Sequence, residues 1–138
     1  MNPSVVAAIK TRAAQFTACP IVWPNVVYSP ATDDQGNPTP FIVADITGLS
    51  SSVRSIGAQG DHWLKDNGFI RFHVMTPYGS GTDVGYALSE QLASIFRMAS
   101  FGGIQCFAPM PAHAEVNADD GNWFITSFSV PFYYYYLG

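Results

Sequence analysis

The sequence contains three histidines, His62, His73 and His113, and these are the side chains best suited to bind a transition metal. Structural zinc sites usually combine Cys or His pairs at short spacing, and the sequence has no such pair. His73 alternates with Arg71 on a predicted strand, and His62 follows Asp61 in a predicted loop. We therefore interpret the histidines as surface or interface residues, and we expect neither a metal nor another cofactor.

A calcium site is the second chemical candidate, because Asn117, Asp119 and Gly121 have the spacing at which a calcium loop begins. The complete loop needs a further acidic residue several positions later, supplied by a flanking helix. Aromatic strand residues follow here instead. We therefore predict that residues 117–122 form a β-hairpin turn.

Catalysis by a nucleophile would require a serine or cysteine beside a base, and the sequence has no Gly-x-Ser-x-Gly elbow. Cys106 falls on a predicted core strand, where a cysteine behaves as a small hydrophobic residue. Carboxylates for acid–base chemistry could be drawn from positions on the outer part of a helix or near a turn, namely Glu90, Glu115, Asp119 and Asp120. We assign no catalytic residue and expect no enzymatic activity.

Phosphates, nucleic acids and membranes are also poor matches to this sequence. The segment Gly79–Thr82 leads into a helix N-terminus, which favours anions, but no basic residue is near it. Six Lys and Arg residues and a formal net charge of −4 cannot neutralise a row of phosphates. No apolar run is long enough to span a bilayer, and no signal-peptide pattern is present. We expect a soluble protein that folds in the cytoplasm with free thiols.

The elements that carry these residues follow from hydrophobic periodicity and turn signals. Helices are predicted over 3–17, where Asn2 and Pro3 start the helix, and over 83–98, where Thr82 is the N-cap. Strands are predicted over 21–28, 41–47, 51–57, 69–76, 104–108, 113–116 and 123–134, with a loop over 58–68. This order predicts a single α+β domain, residues 1–138, with two helices packed on one face of a mostly antiparallel sheet.

The composition predicts a permanent oligomer. Only 12% of the residues are charged, whereas 48% are hydrophobic and 14% are aromatic. Typical soluble domains have about 25% charged residues. Protein interfaces share this bias, because their cores are enriched in Tyr, Trp, Phe and Met and depleted in Lys and Glu. A small monomer whose Ser, Thr, Asn and Gly cover the surface is the alternative.

Four consecutive tyrosines near the end of the sequence place aromatic rings on both faces of an extended chain. Tyrosine suits interfaces, because its ring is apolar and its hydroxyl still finds a partner. An ordinary terminal strand is the alternative. The predicted subunit interface combines these tyrosines with the polar face of the strand over 69–76, namely Arg71, His73, Tyr133, Tyr134, Tyr135 and Tyr136.

The order of several short motifs resembles the tail-terminator family of long-tailed bacteriophages, including its prophage and gene-transfer-agent relatives. The resemblance covers nearly the whole chain, and its parts are weak individually. In the first half of the chain they are a helix, a strand with Trp-Pro-Asn, a strand with Ile-Val-Ala-Asp and a central Arg-Ser-Ile-Gly. The second half has the strand Phe69–Val74, a Gly-Ser-Gly before the second helix, and a last Asp-Gly-Asn-Trp turn that opens the final strand.

The resemblance implies a hexameric ring that caps the finished tail tube, ends its polymerisation and offers a surface for head joining. Its partners would be further copies of itself, the major tail-tube protein and a head–tail connector or neck protein. It would act at the head-proximal end of the tail after assembly in the host cytoplasm. A connector or neck subunit, and a small monomeric binding domain, are the alternatives.

In the relatives, the long connection between the middle strands helps to meet the tube. The corresponding connection here is Leu49–Gly68. By this resemblance, the tube-contacting residues would be Arg54, Asp61, His62, Trp63, Lys65 and Asp66.

Overall fold

The computed structural model describes residues 1–115 and 123–138, which form two helices and a curled, mixed sheet. In chain order the elements are α1 (Pro3–Ala13), β1 (Ile21–Val22), β2 (Phe41–Val53), β3 (Trp63–Pro77), α2 (Asp83–Phe96), β4 (Ser100–Phe101), β5 (Ile104–Cys106), β6 (His113–Ala114) and β7 (Trp123–Leu137). The hairpin turn predicted over 117–122 lies outside the described residues. The same holds for the alternative calcium site and for the candidate carboxylates Asp119 and Asp120.

Both helices begin where the sequence predicts and end earlier. The Oδ1 atom of Asn2 accepts a hydrogen bond of 3.0 Å from the backbone N–H of Ser4, as expected of an N-cap. Thr82 precedes α2, but its side chain makes no capping hydrogen bond. α1 ends at Ala13 instead of residue 17. α2 ends before Met98, whose φ of 51° is incompatible with a right-handed helix.

The sheet is curled and mixed, whereas we expected a mostly antiparallel sheet with both helices packed on one face. Its strand order is β1-β2-β3-β7-β5-β4, and β6 pairs with β7 beside this path. β1 runs parallel to β2, and the remaining pairs are antiparallel. β1 contains only Ile21 and Val22, because Pro24 has no N–H to extend the ladder. The α+β class itself is supported.

The segment predicted as a long connection is instead a hairpin of two long strands. β2 continues to Val53 without the predicted interruption, and β3 already begins at Trp63. The loop predicted up to Gly68 is therefore wrong over residues 63–68. Asp66, Asn67 and Gly68 are typical of turns, but here they pair with β2 on one side and β7 on the other. Two ladders of backbone hydrogen bonds outweigh the local turn preference of these residues.

We call residues 49–67 the arm: the second half of β2, a turn over 54–62, and the beginning of β3. The end of β7 lies beside it, because Trp63 pairs with Leu137 and Lys65 with Tyr135. A shift of register between Gly48 and Ser50 marks the base of the arm on β2. The arm is therefore a two-stranded hairpin with one turn, and the end of β7 pairs with it as a neighbouring third strand.

The core joins the helices to the middle of the sheet. Phe72 of β3 stacks on Phe128 of β7 at a centroid distance of 5.2 Å and packs against Phe96 of α2 at 5.5 Å. The predicted apolar face of β3 is confirmed, because Phe72 and its neighbours at positions 70 and 74 are fully buried. Gly85 lets α2 approach β7 closely, since a Cβ there would lie 2.6 Å from the hydroxyl of Thr126. No helix in the described ranges is long and apolar enough to span a bilayer.

Candidate functional site

The structure forms one serine–histidine–carboxylate cluster that the sequence analysis did not predict. The Nδ1 atom of His73 lies 2.7 Å from the Oγ of Ser127, and Ser127 donates a hydrogen bond to Glu115. The Oε1 atom of Glu115 lies 3.4 Å from the Nδ1 atom of His73. In a catalytic triad the serine hydroxyl donates its hydrogen bond to the histidine, whereas here the hydroxyl of Ser127 donates to the carboxylate of Glu115. Ser127 is also buried in the middle of β7, so this cluster connects strands β3, β6 and β7 structurally.

A metal site is the second chemical possibility, and the described residues do not form one. Within residues 1–115 and 123–138, no three His, Cys, Asp or Glu side chains are grouped so that they could hold an ion. Both cysteines are free. Burial raises the pKa of Cys106 to about 12 and that of Cys19 to about 11, which keeps both thiols protonated and unreactive near neutral pH.

The turn of the arm is ordered by its own hydrogen bonds. The backbone N–H of Trp63 bonds to the Oγ of Ser55 at 2.8 Å, and the Nδ1 of His62 lies 3.2 Å from the carbonyl oxygen of Ser55. His62 and Gly138 exchange two backbone hydrogen bonds, which tie the turn to the end of β7. The side chain of Ile56 is fully exposed at this turn. The turn thus presents an apolar side chain on a rigid support.

The base of the arm is held by a buried tyrosine. The hydroxyl of Tyr134 donates a hydrogen bond of 2.8 Å to Asp66 and lies 3.4 Å from the backbone nitrogen of Asn2. Asp66 also accepts a hydrogen bond from Ser51 of β2. Burial raises the pKa of Tyr134 above its ordinary value, and Asp66 adds to this effect. One hydroxyl therefore connects α1, β3 and β7, and through Asp66 it also connects to β2.

An aromatic strip lies on the face of the sheet opposite the core, partly on the arm and partly on the neighbouring strand β7. Its rings are in contact: Phe107 lies 5.4 Å from Tyr133, and Tyr133 lies 5.6 Å from Tyr135. The Nζ of Lys65 lies 4.2 Å from the ring centre of Tyr133 and 5.8 Å from that of Tyr135. Trp63 and its pairing partner extend the same face. The strip comprises Trp63, Lys65, Phe107, Tyr133, Tyr135 and Leu137.

A groove of about 440 Å³ lies between α2 and the segment that leads into β6. We call it the α2 groove. Glu90 lies at its rim. The Nη2 atom of Arg97 donates hydrogen bonds of 2.9 and 3.1 Å to the two carboxylate oxygens of Glu90. Six of its lining residues define it: Tyr86, Glu90, Ala93, Met110, Ala112 and Phe128.

The structure divides the six predicted tube-contacting residues among three places. Arg54, Asp61 and His62 belong to the turn of the arm, whereas Trp63 and Lys65 lie on β3 in the aromatic strip. Asp66 is engaged inside the subunit by the tyrosine hydroxyl described above. Only the first three residues are therefore still part of a connecting turn.

The predicted subunit interface is divided in the same way. Tyr133 and Tyr135 belong to the strip, and Tyr135 is 50% exposed. Tyr134 is 3% exposed and is part of the core, so little of its ring is left to contact a neighbouring subunit. Tyr136 packs partly against the same core. The reason is the alternation of a strand, which sends every second ring inward.

The two remaining interface residues, Arg71 and His73, share the face of β3 opposite the core. The side chain of Arg71 is exposed, and its cross-strand neighbours are Asp45 on β2 and Ser129 on β7. His73 is half-buried in the polar cluster with Ser127. Their role in a subunit contact stays a prediction.

Nothing in the local sequence indicated that Ile56, Phe107 and Leu137 lie on the surface. Ile56 was placed in a weak strand and Phe107 in a short one, and nothing in their local patterns indicates exposure. Both become exposed because no other described element covers them. The one sequence signal for such exposure was the high fraction of apolar residues in the whole chain.

Comparison with known proteins identifies the family. A family model described as a phage tail terminator protein matches residues 4–132. A match over so much of the chain places it among the structural proteins of the phage tail, and thus of the virion. The chain belongs to the phage tail terminator family.

Comparison with solved structures shows that other proteins have a similar fold. Seventeen chains of solved structures match this one. One of them has a TM-score of 0.65 and 19% sequence identity, with 98% of this chain and 96% of the other covered. At that identity, the likeness concerns the fold alone. No curated protein matches the sequence.

Proposed function

We propose that this protein forms a hexameric ring that caps the tail tube, ends its polymerisation and provides the surface for head joining. Membership of the tail terminator family is the observation that carries the proposal. A terminator has to bind the last ring of the tube on one side and offer no further tube-binding surface on the other. A contact between two different surfaces of identical subunits closes into a ring when the rotation permits.

The turn of the arm is the surface that we assign to the tube. It combines the fully exposed Ile56 with two charged residues of opposite sign, Arg54 and Asp61, and with His62. Its internal hydrogen bonds hold the backbone around Ser55, His62 and Trp63, so less backbone entropy is lost on binding than for an unbonded loop. A short, rigid and partly apolar projection suits insertion into the end of a tube.

The charge of the chain suits a ring through which DNA passes. The formal net charge is −4, with ten acidic and six basic residues. A negative field repels phosphates, so DNA would pass the lumen without adhering to it.

Native mass spectrometry of the purified protein tests the ring. We expect the mass of six chains of 15.0 kDa each. A single monomer peak at micromolar concentration would contradict the proposal.

A phage carrying Ile56→Asp tests the assignment of the tube contact. We expect rings that still form, but tails of irregular length and heads without tails in electron micrographs, because a buried carboxylate would oppose docking. Val27→Asp is the matched control, since Val27 is equally exposed and lies before β2, away from the arm. Tails of normal length joined to heads in the Ile56→Asp phage would show that the turn does not contact the tube.

A further inference from the structure

We propose that the aromatic strip of one subunit inserts into the α2 groove of the next copy, and that this contact closes the ring. The inference rests on the proposed ring and names the two surfaces that build it. Both surfaces belong to this chain, share no residue and differ in shape, so one subunit can use both at the same time.

The strip has the character of an interface core. Trp63 is 51% exposed and Leu137 is 56% exposed, although both are large apolar residues. Large aromatic side chains bury about 150–250 Å² each, so the half-exposed members of the strip leave roughly 400 Å² of apolar surface in water. One partner in a standard interface contributes about 800 Å². The strip alone would supply about half of such a contact.

The α2 groove has the complementary shape. Its floor is apolar, with Ala93 and Phe128 buried, and its wall carries Tyr86 and Met110, each more than 40% exposed. A volume of about 440 Å³ has room for large ring side chains. Burial of the strip here would cover apolar surface on both partners, which is the main favourable contribution to association.

The charges of the two surfaces are also complementary. The only charged member of the strip is Lys65, which the rings of Tyr133 and Tyr135 hold in place. The rim of the groove carries the ion pair of Glu90 and Arg97, in which the side chain of Glu90 is 68% exposed and that of Arg97 is 45% exposed. A carboxylate has about four lone-pair positions, so the bond from Arg97 leaves Glu90 able to accept a lysine. The free acceptor positions of Glu90 favour a strip-to-groove contact over strip-to-strip pairing, which would bring two copies of Lys65 together.

The positions of the two surfaces fit a contact that continues around a ring. Along β7, Tyr135 of the strip and Phe128 of the groove are about 23 Å apart at the usual rise per residue. They also point to opposite faces of the sheet, since Tyr135 and Phe128 differ by an odd number of positions. Two separate, differently directed surfaces produce a head-to-tail contact, which is the type that forms closed rings.

Mixing two damaged proteins tests the pairing. The strip variant carries Trp63→Ser and Tyr135→Ser, and the groove variant carries Tyr86→Lys and Met110→Lys. We expect each variant alone to be a folded monomer with complete loss of the ring in native mass spectrometry. An equimolar mixture should contain heterodimers and no rings, because only one intact strip and one intact groove remain in each pair.

The control carries Val27→Ser and Met98→Lys, which change more exposed apolar residues outside both surfaces. We expect the control to form normal rings. If either damaged variant keeps its ring, or if the mixture does not associate, the strip does not bind the groove. If the unmodified protein is itself a monomer, the proposed ring fails instead, so the two failures are distinguishable.

Crosslinking provides a second measurement, which detects the contact directly. Tyr135→Cys and Met110→Cys in one chain should give, on oxidation of the ring, a ladder of covalent species up to the hexamer on a non-reducing gel. Neither single substitution should give it, because both natural cysteines are at least partly buried. A double variant without the ladder would overturn the pairing.

Discussion

The same three strands, β2, β3 and β7, behave differently at their two ends. Where the helices cover them, apolar side chains such as Phe72 and Phe128 are buried. At the arm, apolar side chains such as Val53, Trp63 and Leu137 are more than half exposed. The β3–β7 ladder continues without interruption between the two regions, and β2 pairs with β3 on both sides of its single register shift, so the presence of strand pairing does not distinguish the two regions. We infer that one end stabilises the subunit and the other is reserved for assembly.

Truncation of an aromatic side chain in each region should give the largest contrast. Phe72→Ala removes a fully buried ring and should lower the free energy of unfolding by about 3–5 kcal/mol. Trp63→Ala, in the arm, should lower it by less than about 1 kcal/mol, because surface substitutions usually have small effects. Urea denaturation measures both free energies of unfolding. Each substitution is introduced into the monomeric groove variant, so that subunit association does not contribute to the measured stability.

If Trp63→Ala were as costly as Phe72→Ala, the arm would be part of the folding core, and the contrast between the two ends would disappear.

A smaller effect is expected where the two regions meet. Gly68 of β3 pairs with Gly48 of β2, and a Cβ on Gly68 would lie 2.5 Å from the carbonyl oxygen of Thr47 and 2.9 Å from the ring of Phe132. Gly68→Ala should therefore cost about 1–3 kcal/mol through overpacking. Gly48→Ala is the control, because its Cβ would meet only Met1, at 3.7 Å. Equal melting temperatures for the two variants would contradict this account of the arm's base.

The smallest effect concerns the tyrosine hydroxyl at the base of the arm. Tyr134→Phe removes the hydrogen bond to Asp66 and should cost about 1 kcal/mol. Tyr135→Phe should cost nothing measurable, since the hydroxyl of Tyr135 bonds to no described residue and faces solvent. Denaturant titrations of the two variants at pH 7 make the comparison.

The pH dependence sharpens the same prediction. Because burial raises the pKa of Tyr134 above its ordinary value of 10.0, the folded state keeps the proton longer than the unfolded state. The stability that this provides is complete below pH 10 and is lost as the pH rises through the raised pKa. Tyr134→Phe should lose less stability over that alkaline range than the unmodified protein, and an identical loss would show that Tyr134 does not titrate as described.

Local patterns were sufficient where a local interaction decides the structure. Asn2 and Pro3 start α1 because a cap and a fixed φ act within a few residues. The alternation in β3 correctly identified Phe72 and its neighbours as core residues, because one-sided burial imposes a period of two. The order of short motifs was enough to recognise the tail terminator family.

Local patterns failed where distant strands decide the structure. Asp66–Gly68 resembles a turn and forms a strand, because partners on β2 and β7 satisfy its backbone. Tyr134 was grouped with its neighbours, yet only the register of β7 against β3 turns its ring inward and its hydroxyl onto Asp66.

The amino-acid sequence by itself therefore determined the helix starts, the apolar face of the central strand, the surplus of apolar residues and the family. Only the tertiary structure decided which apolar residues are exposed, and thus which surfaces are free to bind. The physical reason is that burial depends on what covers a strand, and the covering elements come from parts of the chain that are distant in sequence.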